Sequence, residues 1–392
     1  MKKLIVCFLV LITLTSFTTQ VFAASRGNDA INTNLSSSDF EVNAKSAVLM
    51  EANTGKILFS QNENQKSSPA SVTKIMTLLL VMEAISEERI SKNDMVVISE
   101  HAASMGGSQV FLEEGERMSV EELLKCAIIA SANDAAVALA EHTGGSEKIF
   151  VSMMNKRAGE LGMQNTNFEN VTGLDDSTKN HLTSALDIAI MSRELIKYDL
   201  VRKYSSLWQD SIRDGEFTLT NTNRLVRYYD GCNGLKTGST DKAGYCISAT
   251  AERGGMQLIA VIMGAETRDI RNAEAKSMLD YGFANYAVFS KEERDLETVD
   301  VLYGSKEKVK LYSAPFSAVI PKSDLKKVEL FYEIPEYVTA PINDFAAVGR
   351  VTYKIGDEVI GTSDIYSTEK IEKITFLEIF CRILNILFIS KN

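Results

Sequence analysis

The 392-residue sequence has no Cys-x-x-Cys pair, no clustered histidines and no block of basic residues, and each absence closes off a class of function. His101, His142 and His181 lie far apart, and the cysteines lack metal-ligand spacing, so neither a metal centre nor a dense disulfide framework is supported. With 42 Lys and Arg against 52 Asp and Glu the formal net charge is −10, which argues against nucleic acid as a partner. The apolar run from Leu4 to Leu14 is too short for a helix that remains in a membrane. Between Lys2-Lys3 and the small-residue site Val21-Phe22-Ala23 it has the form of a secretory signal, residues 1–23, and the mature chain is expected to begin at Ala24. Cys7 would leave with that signal. The other four, Cys126, Cys232, Cys246 and Cys381, are expected as buried free thiols, although export permits disulfides and a Cys232–Cys246 bridge stays open.

What remains is a globular composition, 45% hydrophobic and 24% charged, long enough for two domains. Ala47-Val48-Leu49-Met50 and Ile57-Leu58-Phe59, separated by Asn53-Thr54-Gly55-Lys56, predict two strands and a turn. Ile75, Leu78, Leu79, Met82 and Ile85 recur at helical spacing after Pro69, which puts Ser71 at the start of a buried helix. Ser119-Val120-Glu121-Glu122 reads as a capping box ahead of a second apolar helical region, interrupted by Ser131-Ala132-Asn133. A third helix is expected over 187–196.

Beyond Thr218 the pattern turns to strands. Gly254-Gly255 joins two apolar runs, 245–250 and 258–263, as a hairpin, with Lys236 expected near the start of its first strand. A helix is expected over 272–289. From 297 to 367, alternation at Val299/Val301/Tyr303 and Val351/Tyr353/Ile355 predicts a small all-β domain. The organisation is therefore a catalytic unit over 38–290, an antiparallel sheet flanked by helices in an α/β (α+β) arrangement, then an all-β domain over 296–367. A C-terminal helix over 370–392 follows. It has a narrow polar stripe of Thr375, Glu378, Arg382 and Asn385, and the remaining broad apolar face suits a membrane interface; docking on protein is the competing reading.

Three short strings carry the chemistry: Ser71-Val72-Thr73-Lys74, Ser131-Ala132-Asn133 and Lys236-Thr237-Gly238. Residues three apart on a helix share a face, so Lys74 can take the Ser71 proton, provided burial or a nearby cation keeps its amine partly neutral. Lys236 is the candidate cation. Ser131 can relay a proton to a leaving amine, Asn133 can hold a substrate carbonyl, Thr237 can hold a carboxylate, and Gly238 lets a substrate lie along the strand. The backbone N–H groups of Ser71 and Ser239 are candidates for an oxyanion hole, where a donor contributes about 3 kcal/mol. Each string alone is more often a cap, a helix break or a turn; their order and joint presence in an exported chain favour catalysis.

With Pro69-Ala70 before the first string, Gly106-Gly107-Ser108, Asn233-Gly234-Leu235 before the third, and Ala243-Gly244-Tyr245, the sequence resembles the low-molecular-mass penicillin-binding proteins. These are serine-type D-alanyl-D-alanine carboxypeptidases (peptidase S11-like) with a trailing β domain and an amphipathic anchor. The resemblance implies a β-lactamase/transpeptidase-like fold, no metal or cofactor, and a peptidoglycan stem peptide ending in D-Ala-D-Ala as substrate, with β-lactams as covalent inhibitors. It also implies that Ser71 forms the acyl-enzyme, that Lys74 is the base, and that the C-terminal helix holds the protein at the outer face of the cytoplasmic membrane. Arg271, in Arg271-Asn272-Ala273-Glu274-Ala275, matches a position that helps hold the terminal carboxylate; otherwise it is a surface arginine at a helix start.

Two alternatives remain at the level of sequence. A class A-like β-lactamase uses the same strings but needs a glutamate four residues before an asparagine, and no asparagine here has one. A non-catalytic wall-binding scaffold would keep the fold and fail to form a penicillin adduct.

Overall fold

The computed structural model describes residues 40–174 and 178–389; the expected signal segment lies outside them. Five antiparallel strands form the central sheet: β1 (Ser46–Glu51), β2 (Ile57–Gln61), β3 (Cys232–Thr240), β4 (Gly244–Arg253) and β5 (Met256–Ala265). Their order is β2-β1-β5-β4-β3, so the first and last parts of the unit share one sheet and β3 is an edge.

β5 reads as an unbroken apolar run because helices cover both of its faces. Ile259, Val261 and Met263 point into a core shared with helices α1 (Lys74–Ser86) and α3 (Ala185–Leu195), while α2 (Asn133–Gly144) packs beside α1. Leu258, Ala260 and Ile262 face the opposite side, where Met278 and Leu279 of α4 (Arg268–Asn285) close a second core. A one-residue slip of β5 would exchange these two sets and is disfavoured on both sides.

Three local expectations are corrected. Lys236 does not lie in the strand that contains Tyr245; it occupies β3, a strand of its own, joined to β4 at 241–243. Helix α4 begins at Arg268, four residues earlier than the apolar pattern suggests, because the Thr267 hydroxyl accepts the Ile270 N–H and caps it. It also ends at Asn285. Residues Tyr286–Lys291 pair with Phe316–Pro321 as strands, and their alternation overlaps the tail of the helical period.

The rest of the β region is a six-stranded sheet over a small core of Val299, Val309, Leu311, Val351, Tyr353 and Ile365, with Phe316 stacked on Tyr353 at 3.9 Å between ring centroids. Lys56 Nζ donates to the Val319 carbonyl at 3.0 Å and ties this region to the central sheet. Helix α5 (Phe376–Ile389) follows, capped reciprocally by Thr375 and Glu378. Arg382 donates to the Gly304 and Ser305 carbonyls, whereas Phe376, Leu377, Phe380, Ile383, Ile386 and Leu387 are exposed. Among the described residues no helix is long and apolar enough to cross a membrane. Cys126, Cys232 and Cys246 are buried free thiols; Cys381 is free but exposed on α5, where only Arg382 and Leu384 are partly covered.

Candidate active site

The Ser71 string is built from a strained turn. Ala70 has φ +48°, and Ala70–Thr73 form a 3₁₀ turn that leads into α1, with Ser71 half-buried and Lys74 fully buried. Lys74 Nζ lies 3.0 Å from Ser71 Oγ, 2.5 Å from Asn133 Oδ1 and 3.0 Å from the Thr172 carbonyl. The last two can only accept. A neutral amine therefore directs its two hydrogens at Asn133 and Thr172 and its lone pair at Ser71 Oγ, the arrangement a general base needs.

The second string stands at a break between helices. A π-helical turn, Cys126–Ala130, ends in Ser131 at φ +63°, and α2 begins at Asn133. Asn133 is fixed on three sides: its backbone N–H donates to Ser108 O, its Nδ2 donates to Gly106 O at 2.6 Å, and its Oδ1 accepts from Lys74. A Cβ at Gly107 would fall 2.8 Å from Asn133 Nδ2, so the glycine is needed for this close approach.

On β3, Lys236 is buried and donates to Ser131 Oγ at 2.7 Å and to the Thr237 carbonyl at 2.8 Å. The Thr237 hydroxyl donates to Thr222 Oγ1. Gly238 crosses the nucleophile turn; a Cβ there would lie 2.8 Å from Ser71 N and 2.9 Å from Val72 N. Ser239 follows at the exposed end of the strand. Arg271 is buried, not a surface residue, and donates to the Cys246 carbonyl, with Cys246 opposite Gly238 in the ladder. The structure thus brings Ser71, Lys74, Ser131, Asn133, Lys236, Thr237 and Gly238 into one hydrogen-bonded or contacting group, with Ser239 next along the strand and Arg271 behind it.

Burial disfavours the charged form of both lysines. Burial, then the Lys236 cation, pull Lys74 well below the usual lysine range, against the pull of Asp134. Burial and the Arg271 guanidinium lower Lys236 to about 7.

Sequence reasoning missed two contributors, Thr172 and Thr222. Thr172 acts through a backbone carbonyl, which has no side-chain signature. It is presented by a turn in which Asn170 Oδ1 accepts from the N–H groups of Thr172 and Gly173, and a Cβ on Gly173 (φ +83°) would run into Ala70 O; the Asn-x-x-Gly spacing was the available signal. Thr222 belongs to a loop without a motif. His181 packs behind the nucleophile turn, with Nε2 2.8 Å from Thr73 Oγ1 and Nδ1 accepting the Glu169 N–H.

Comparison with known proteins points to one family. The D-alanyl-D-alanine carboxypeptidase family profile matches residues 32–267, and that of the penicillin-binding protein 5 C-terminal domain matches 283–373. D-alanyl-D-alanine carboxypeptidase DacF of Bacillus subtilis is 42% identical over 388 residues, covering 96% of this chain and 97% of its own. DacC of Escherichia coli is 34% identical, covering 85% of each. The structure of penicillin binding protein 5 from Haemophilus influenzae superposes with a TM-score of 0.75 at 34% identity, covering 86% of this chain and 99% of its own. The chain belongs to the D-alanyl-D-alanine carboxypeptidase family, the serine peptidases among the penicillin-binding proteins.

Proposed function

We propose that Ser71 carries the acyl group in removal of the terminal D-alanine from peptidoglycan stem peptides. The observation that carries this reading is the pair of contacts Lys74 Nζ–Ser71 Oγ and Lys236 Nζ–Ser131 Oγ in one buried site. Neutral Lys74 takes the Ser71 proton as Oγ attacks the carbonyl of the penultimate D-alanine. The oxyanion is held by the N–H groups of Ser71 and Ser239, while Thr237, Lys236 and Arg271 hold the terminal carboxylate. The C–N bond then breaks, the leaving amine receives a proton through Ser131, and water later splits the ester to free the shortened peptide and Ser71.

Among the described residues no Asp or Glu side chain hydrogen-bonds to Ser71, Lys74, Ser131 or Lys236, which favours slow release of a penicillin acyl group over β-lactamase turnover. The scaffold reading is disfavoured by the completeness of the Lys74 hydrogen bonding. Incubation with a peptide ending in D-Ala-D-Ala tests the reaction. Free D-alanine and a peptide shortened by one residue are expected, and an intact peptide with folded enzyme would overturn it.

The same proposal puts the protein outside the cell, with α5 at the outer face of the cytoplasmic membrane. Its support is the exposed apolar face of α5 together with the pairing of Arg382 to protein carbonyls, which spares that cation a place in hydrocarbon. The signal-like segment 1–23 gives the route.

A further inference from the structure

Asp134 is a fully buried carboxylate directly after Asn133, and no sequence motif explains it. A charge in such a place is costly unless its oxygens are satisfied and its field is useful. Its Oδ2 accepts the N–H groups of Val110 and Leu112 at 2.9 and 3.2 Å, and its Oδ1 accepts that of Ala135 at 2.9 Å.

Those two N–H groups belong to the loop that also supplies Gly106 O and Ser108 O to Asn133. Arg213 grips the same loop from its other side, donating to Val110 O at 3.0 Å and Phe111 O at 3.1 Å and pairing with Glu116. Phe111 between these grips is held at φ +57°, a conformation that a bulky residue adopts only under constraint. The loop is therefore fixed, and it aims the Asn133 carbonyl at Lys74.

We propose that Asp134 is a positioning residue for acylation: it locks the Gly106–Leu112 loop that orients Asn133 on Lys74, and it places a buried carboxylate one residue from the side chain that touches the Lys74 amine. This rests on the Ser71–Lys74 acylation reading. The charged groups bearing on Lys74 are Lys236 from β3 and Asp134 from α2. Those that Asp134 also faces are the Cys126 thiol, which it helps push up, and the Arg213 guanidinium, which it helps keep protonated; Glu116 and Glu122 add to the negative field at Cys126. Removing the Asp134 charge takes away what favours the Lys74 ammonium, so the amine is free at lower pH.

The experiment measures the rate of covalent labelling by penicillin against pH, in the full-length protein and in Asp134→Asn, Asp134→Ser and Arg213→Gln. In both neutral Asp134 variants the acidic limb is expected to move to lower pH by about one unit, the size of a single nearby charge. Asn keeps one acceptor oxygen for the Val110 and Leu112 N–H groups and gives up the one for Ala135, and Ser supplies a second neutral variant should Asn fail to fold. Arg213→Gln loosens the same loop but leaves the Asp134 charge, so its rate falls with the limb unmoved. An acidic limb unchanged in whichever neutral variant folds, or moved equally by Arg213→Gln, overturns the proposal. Unlabelled wild-type protein would instead remove the acylation reading beneath it.

Discussion

The proposed reaction needs Lys74 and Lys236 in different protonation states. Both are buried and both are depressed, and the Lys236 cation is itself one cause of the lowered Lys74 value, so a charged Lys236 favours Lys74 as the free amine. Acylation should therefore follow a bell, with loss of the Lys236 charge setting the basic limb in free enzyme. Arg271 bears on that limb because its guanidinium is one cause of the lowered Lys236 value. In Arg271→Gln a neighbouring positive charge is gone, the Lys236 ammonium is less disfavoured, and its midpoint rises above about 7. The basic limb of kcat/KM should move to higher pH while KM rises several-fold for a carboxylate substrate, a loss of charge-assisted hydrogen bonding. A limb that stays put or moves down, measured with a D-Ala-D-Ala peptide, contradicts this assignment. The serine and lysine at three-residue spacing were legible in the sequence because that spacing has one geometric meaning on a helix. Thr172 was not, since any residue could lend its carbonyl, and Asp134 was not, since its work is to hold N–H groups 22 and 24 residues away.

Three elements meet at Ser71, namely α1, β3 and the turn before Ser131, and they differ from one another and from the rest of the sheet in how plainly the chain announces them. α1 is a buried helix with apolar residues all round, and its helical spacing makes it readable. The Gly254-Gly255 turn is equally plain, with β4 ending at Arg253 and β5 beginning at Met256. β3 was harder. Its residues are Cys-Asn-Gly-Leu-Lys-Thr-Gly-Ser-Thr, with little apolar alternation, because Lys236 is turned into the site and Gly238 must pass against the backbone of Ser71 and Val72. An element shaped by a site rather than by the core loses its strand pattern. The π turn before Ser131 is of the same kind: the sequence shows a polar break in an apolar region, whereas the left-handed Ser131 that the break produces is visible only in the structure.

At the scale of the whole molecule, the two-part organisation follows from two kinds of periodicity, and the join between them was blurred because Tyr286–Lys291 continues directly from α4. The structure also shows where an anchor deletion must be cut. Ile371 is buried in the β core and bridges to Ile342, so removing residues 371–392 would damage the domain itself; removing 375–392 takes α5 alone. The shorter deletion should leave penicillin labelling unchanged and abolish sedimentation with phosphatidylglycerol vesicles. Co-sedimentation equal to that of the full chain would show that α5 is not the attachment. The central claim, however, is chemical: Ser71 is a nucleophile activated by Lys74. The most direct measurement is mass spectrometry of the protein after exposure to penicillin. The account predicts one stable adduct that maps to Ser71 and is absent from folded Ser71→Ala; folded wild-type protein without an adduct, or an adduct on another residue, would contradict it.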